Sequence, residues 1–131
     1  MIMDKSSYRD LIVWQKAIDL VPSVYVTLRS FPVEENFALS QQIRRAVVSV
    51  SANIAEGQAR SHRKEFVQHL AIAKGSLAEL DTLLIVAERL GYVTEDELSG
   101  LEDRIADIRR PLAALMKSVA STHNSQLTTH N

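Results

Sequence analysis

The chain contains no cysteine among its 131 residues. This absence excludes disulfide bonds, a cysteine-ligated zinc site and a thiol nucleophile, and it fits a reducing cytoplasm. No apolar run approaches the roughly 20 residues that a membrane-spanning helix needs. The N-terminal residues Met1-Ile-Met-Asp-Lys5 also lack the pattern of a secretory signal. We therefore expect a single cytoplasmic domain with no membrane segment.

The chain also lacks a strong excess of either charge, because its net charge is −1. The charge is nevertheless uneven along the sequence. Residues 44–74 carry six cations and two carboxylates, a balance of +4, whereas residues 79–107 carry two cations and nine carboxylates, a balance of −7. This pattern predicts one basic and one acidic surface. A solvated face with local ion pairs is the alternative interpretation.

What the chain has in abundance is apolar residues at helical spacing. Apolar positions recur every three or four residues along most of the sequence, which is typical of amphipathic helices. Local signals divide the pattern: Phe31-Pro32, a capping serine at Ser61, Gly91, and a capping box from Thr94 to Glu97. We predict an all-α, antiparallel up-down-up-down four-helix bundle. Its helices should span residues 8–30, 35–60, 62–90 and 95–120, with a flexible leader at 1–7 and a flexible tail at 121–131.

Each predicted helix has one apolar stripe that faces the core, and the second helix has an additional apolar stripe on another side. The first helix places Trp14 and Tyr25 on its stripe, together with Leu11, Ile18, Val21 and Leu28. The second helix carries no charge from Ala46 to Ala55, which a helix with one solvated face does not allow. We interpret its second stripe of small residues as a subunit contact; a loosely covered surface stripe is the alternative. This stripe contains Val48, Ala52, Ala55 and Ala59, and the third helix has a similar strip at Ala71, Gly75, Ala78 and Thr82.

A polar seam borders the core stripe of the second and third helices. A buried network that joins Arg45 to Glu56 or Glu79 is one interpretation, and a ligand or nucleic-acid contact is another. Catalysis by these carboxylates would lack a nucleophile, a phosphate-binding glycine loop and an oxyanion site, so we predict no catalytic residue and no cofactor. The seam consists of Arg45, Ser49, Asn53, Glu56, Ser76 and Glu79.

Two further clusters contain residue types that bind metals or anions. Glu65 and His69 share a helix face, but their spacing does not match the repeated Glu-x-x-His pairs of di-iron bundles, so we predict no metal site. The densest basic cluster, Arg60-Ser-His-Arg-Lys64, lies at a turn before a helix, where phosphate binding is favourable. It has no interleaved aromatic residues, so contact with nucleic acid would be to the backbone. The predicted contacts are Arg44, Arg60, Arg63 and Lys64; an ordinary solvated turn is the alternative.

These motifs resemble a known family, the four-helix-bundle proteins encoded within intervening sequences of 23S ribosomal RNA genes. The resemblance covers about residues 8–93 and rests on several short segments. They are Leu11-Ile-Val-Trp-Gln-Lys-Ala17, Tyr25, Phe31-Pro32, Glu35, Gln42-Ile-Arg-Arg45, Ser49, Asn53-Ile-Ala-Glu-Gly57, Arg60, Glu65-Phe66, Ala73-Lys-Gly-Ser-Leu-Ala-Glu-Leu80 and Leu90-Gly-Tyr-Val93.

The resemblance implies a bundle that assembles as a homo-oligomer, most often a pentamer, and no catalytic residue. A related group, the accessory proteins of diversity-generating retroelements, uses a basic surface of a pentameric bundle to engage nucleic acid and a reverse transcriptase. Those proteins are markedly basic and this chain is not. The expectation is therefore a non-enzymatic scaffold that binds RNA or a nucleoprotein. A protein-interaction or structural module without a nucleic-acid role is the alternative.

Overall fold

The fold is an antiparallel bundle of four helices, as predicted. A computed structural model describes the backbone of residues 7–129 and the side chains of residues 7–121. The predicted leader therefore lies outside the described residues except for Ser7, as do the last two residues of the tail. Two short 3₁₀ turns, Tyr8–Asp10 and Val33–Glu35, precede the first and second helices. The helices are α1, Ile12–Leu28; α2, Leu39–Ala59; α3, Arg63–Arg89; and α4, Glu95–Thr129.

The first two helices begin later than predicted, and side chains explain both differences. The Ser7 hydroxyl accepts a hydrogen bond from the Arg9 amide, and the extended Leu11 then separates the first 3₁₀ turn from α1. Before α2, the Glu35 carboxylate accepts from the Leu39 amide at 3.3 Å. Glu35 therefore caps the helix from outside instead of forming its first turn.

The turn between α2 and α3 also differs from the prediction. α2 continues to Ala59, one residue short of its predicted end at residue 60. The predicted cap at Ser61 is wrong: its backbone has φ of +66°, His62 occupies the cap position, and no side chain bonds to the first amides of α3. Ser61 therefore reverses the chain direction, and its hydroxyl does not complete the helix.

The other two predicted boundaries are confirmed. Gly91 has φ of +84° and ends α3, with the Tyr92 amide donating to the Ala87 carbonyl at 2.9 Å. The capping box of α4 is complete, because the Thr94 hydroxyl accepts from the Glu97 amide and the Glu97 carboxylate accepts from the Thr94 amide. At its other end, α4 has helical backbone to Thr129, beyond the predicted limit at residue 120.

The buried side chains of α2, α3 and α4 recur every three or four residues, as predicted, whereas the stripe of α1 is shifted. In α1 the buried side chains are Val13, Ala17, Leu20, Val24 and Leu28. Ile18 and Tyr25, which the prediction placed in the core, are 39% and 42% exposed. The predicted stripe followed the large aromatic and β-branched residues, which lie to one side of the observed stripe. Small residues such as Ala17 face the core instead, because they allow closer helix contact. Within the described residues, no helix combines the length and apolarity that crossing a bilayer requires.

Candidate functional site

Three members of the polar seam, Ser49, Asn53 and Ser76, form a continuous hydrogen-bond chain with His69 between α2 and α3. The hydroxyls of Ser49 and Ser76 share a hydrogen bond of 2.8 Å between the two helices. The Asn53 amide group donates to the Ser49 carbonyl at 2.9 Å, and its Oδ1 accepts from Nδ1 of His69 at 3.1 Å. Each of these polar side chains thus has a partner, which offsets the cost of its burial.

Glu56 closes the seam at the end nearest the α2–α3 turn. Its carboxylate accepts from the Arg60 guanidinium at 2.7 Å and lies 3.9 Å from Nε2 of His69. The hydrogen bond from Arg60, together with the charges of His69 and Arg60, lowers the pKa of Glu56 despite its partial desolvation. Glu56 is therefore ionised at neutral pH and is unsuited to act as a general acid.

The predicted network from Arg45 to Glu56 or Glu79 does not form. Arg45 and Glu79 are both exposed, and Glu79 makes no ion pair with any described residue. The Arg45 guanidinium instead donates to the side-chain oxygen of Gln41 at 3.2 Å. His69, and not Arg45, links Asn53 to Glu56, because antiparallel packing brings His69 across from Asn53. Its pairing with Glu65 in sequence did not indicate this cross-helix contact.

The basic turn, residues 60–64, presents two cations that are free to bind anions. Arg60 is engaged with Glu56, but Arg63 and Lys64 make no ion pair with any described residue. The first amides of α3 follow directly and carry no side-chain cap. The described part of the chain contains no group of three or more histidine or acidic side chains that could hold a metal ion. The chemistry available here is electrostatic attraction of phosphate.

Arg44 does not join this cluster. It lies 16 residues before Arg60 on the same helix, a distance of about 24 Å at 1.5 Å per residue. Its guanidinium donates to the Asn36 carbonyl at 2.7 Å and so holds the loop before α2. The structure therefore separates the four predicted nucleic-acid contacts into a cluster of three and a structural arginine.

The antiparallel topology places most cations in one half of the bundle and most carboxylates in the other half. The half that contains the α2–α3 turn comprises residues 7–18, 50–74 and 108–121, and it has nine cations and three carboxylates, a net charge of +6. The other half, residues 19–49 and 75–107, has five cations and twelve carboxylates, a net charge of −7. We call these the basic pole and the acidic pole. The cations of the basic pole are Arg9, Lys16, Arg60, Arg63, Lys64, Lys74, Arg109, Arg110 and Lys117.

The second apolar stripe of α2 faces outward from the bundle. Ala52 and Ala59 are exposed, Ala55 is half-buried, and Val48 is 43% exposed beside a shallow depression that Tyr25 also lines. No described part of the chain covers the neighbouring strip of α3, because a Cβ at Gly75 would meet none of its atoms within 4 Å. Ile72, on the same side of α3, is 50% exposed. We call these α2 and α3 residues together the outer face.

These features define an all-α, antiparallel four-helix bundle with opposite charge at its two ends and an uncovered apolar side. The model of the family described as 23S rRNA-intervening sequence protein matches residues 9–114. The chain belongs to this family, which confirms the resemblance seen in its sequence. No curated protein matches the chain.

A solved structure supports the same assignment. The chain is similar to a protein of unknown function from the S23 ribosomal protein family of Bacteroides thetaiotaomicron VPI-5482. The two are 25% identical, and the match covers 81% of this chain and 99% of the other, with a TM-score of 0.72.

Proposed function

We propose that the chain is a cytoplasmic, non-enzymatic scaffold that assembles as a homo-oligomer, a pentamer by family resemblance, and binds RNA or a nucleoprotein through its basic pole. The observation that carries the proposal is the segregation of charge along the bundle. A net charge near zero disfavours binding of the whole chain to a polyanion. A pole with a net charge of +6 can nevertheless attract a polyanion locally. RNA then approaches end-on, with the acidic pole pointing away.

The contacts expected at this pole are to phosphate. Arg63 and Lys64 have no carboxylate partner among the described residues, and the uncapped amides of α3 lie beside them. No aromatic residue occurs within the basic turn, so the bases have no stacking platform there. Binding should therefore be salt-sensitive and nearly independent of base sequence.

A titration of structured RNA over a series of salt concentrations tests this function. The double variant Arg63→Gln, Lys64→Gln should weaken binding, and each lost phosphate contact should reduce the slope of log K against log salt by about 0.7–0.9. The matched control is Arg29→Gln, Arg89→Gln, which removes the same charge from exposed positions of the acidic pole. The control should bind nearly as the parent does.

Absence of RNA binding at low salt would contradict the proposal, as would an affinity that does not change with salt. Equal weakening by the two double variants would show that only net charge matters and would remove the basic turn from the interface. Circular dichroism of each variant confirms that helix content is unchanged, so a loss of binding is not a loss of folding.

A second candidate is a protein-interaction module without a nucleic-acid role. The observation that favours it is Phe37, whose side chain is 90% exposed in the loop before α2. The loop is firmly held, because Arg44 binds the Asn36 carbonyl and the Tyr92 hydroxyl donates to Glu35 at 2.9 Å. An exposed aromatic side chain on a loop held in this way is typical of an interface anchor. Recovery of a partner that survives nuclease treatment and is lost with Phe37→Ala would favour this candidate.

A further inference from the structure

The acidic pole contains an open groove between α1 and α4, with a volume of about 530 Å³. Its apolar lining comes from Pro22 and Val26 of α1 and Leu101 of α4. Gly100 lines the same groove, and a Cβ placed there would meet no atom of a neighbouring described residue within 4 Å. Val26 is 54% exposed, so no described part of the chain covers this surface.

Carboxylates accompany the apolar lining. Asp96 and Glu97 line the groove near the start of α4, and Asp96 has no ion-pair partner among the described residues. The cation that also lines the groove, Arg104, donates to the Ser23 hydroxyl. Arg104 further lines an adjoining depression that contains Asp19 and Asp107, together with Lys16. The groove therefore combines an apolar floor with an uncompensated negative charge.

We propose that this groove binds a cationic, amphipathic segment of a partner protein. An apolar side of the segment would rest on Pro22, Val26 and Leu101, while its lysines or arginines would face Asp96 and the surrounding acidic pole. Helix-in-groove recognition commonly pairs these two features. The proposal is independent of RNA binding, which concerns the opposite pole.

Other occupants fit the groove less well. RNA phosphates would meet the negative field of a pole that carries −7. In a second copy of the chain, the densest basic segment is residues 60–64, and these five residues include no apolar side chain to fill the groove. A cationic and amphipathic segment satisfies both the shape and the charge.

Fluorescence anisotropy with a labelled model peptide tests the proposal on the full chain. The probe is a helical peptide of leucine and lysine, about 15 residues long so that it can form a helix. Gly100→Leu should weaken binding about tenfold because the new side chain fills the groove, and Asp96→Lys should weaken it by a similar factor. Neither change should disturb folding, since the Gly100 position is open and Asp96 is exposed.

Two matched controls separate the groove from general attraction to an acidic protein. Ser99→Leu adds the same side chain one residue earlier on α4, and Glu95→Lys makes the same charge change one residue before Asp96, yet neither position lines the groove. Both controls should change the affinity less than about threefold.

Four results would overturn the proposal. The first two are a failure of the peptide to bind and an equal weakening of binding by the variants and their controls. The third is an equal affinity for a peptide with glutamine in place of lysine. The fourth is a change of particle mass with Gly100→Leu, which would identify the groove as a contact between copies of the chain.

Discussion

At the scale of single residues, the carboxyl groups of Asp81 on α3 and Glu102 on α4 contribute to the dependence of stability on pH. Glu102 shares a hydrogen bond with Asp81, and this bond, desolvation and the negative charge of Asp81 raise the pKa of Glu102 above its ordinary value of 4.5. Arg109 offsets part of this effect, since its guanidinium lies 3.7 Å from the Asp81 carboxylate. The folded chain therefore binds a proton here more tightly than the unfolded chain does.

The sign of the pH dependence follows from this difference in proton binding. The contribution of the pair to stability is fully present below pH 4.5, the ordinary carboxyl pKa, and declines as the pH rises through the raised pKa of Glu102. Glu102→Gln should remove this decline, because an amide donates a hydrogen bond to Asp81 at every pH. We expect the variant to be more stable than the parent at neutral pH, as measured by urea unfolding over a pH series.

Glu56→Gln serves as the control with the opposite sign. The pKa of Glu56 is lowered, first by the hydrogen bond from Arg60, so its contribution is present above pH 4.5 and is lost as the pH falls through the lowered pKa. The Glu56 variant should thus reduce the loss of stability in acid. A Glu102 variant that follows the parent at every pH would show that Asp81 does not raise the pKa of Glu102.

At the scale of the elements, the close packing of α2 against α3 near their connecting turn depends on Gly57. A Cβ at this buried position would lie 2.6 Å from Cβ of His69 and 3.2 Å from the Phe66 ring. Cβ of His69 is fixed to its helix, so relief requires a shift of α3 itself. Such a shift would also strain the seam, because the His69 ring bonds to Asn53.

We therefore predict that Gly57→Ala destabilises the fold by about 1–3 kcal/mol, the usual cost of overpacking. The expected loss of stability is opposite in sign to the effect of helix propensity, which favours alanine over glycine by about 1 kcal/mol. The matched control is Gly100→Ala, where the new methyl group meets no atom within 4 Å and should stabilise the protein. Chemical denaturation measures both changes, and a Gly57 variant as stable as its Gly100 counterpart would contradict the close contact.

The elements also show which signals can be read from sequence. Thr94 with Glu97, and Gly91, were predicted correctly because capping and left-handed backbone are decided within a few residues. Ser61 was assigned wrongly because a serine before a helix has two roles, and its positive φ depends on how the two long helices meet. The role of Gly57 was missed for the same reason: its neighbour His69 is set by the register between helices.

At the scale of the whole molecule, antiparallel topology converts a charge pattern along the chain into two poles. The sequence indicated basic and acidic stretches, but it placed Arg44 and Arg45 with the basic one. In the bundle both arginines lie in the acidic half, because α2 runs from one pole to the other. The members of the basic turn were predictable because they are adjacent, whereas the position of Arg44 required the fold.

The outer face leads to the last prediction, which concerns assembly. Val48 and Ile72 are 43% and 50% exposed in a single chain, and small residues such as Ala52 would let another backbone approach closely. Burial of such a face stabilises an oligomer by about 25 cal/mol for each Å² of apolar surface. Ala52→Glu would place a charge in that contact, so we expect it to dissociate the assembly while helix content remains.

Light scattering checks the mass, which should fall from a multiple of 14.6 kDa to that of one chain. The matched control is Ala113→Glu, which makes the same change at an exposed position of α4 outside the outer face and should leave the mass unaltered. If the control dissociates the particle and Ala52→Glu does not, the subunit contact lies on α4. If the parent itself has the mass of one chain, the outer face is an uncovered surface and the oligomeric scaffold is wrong.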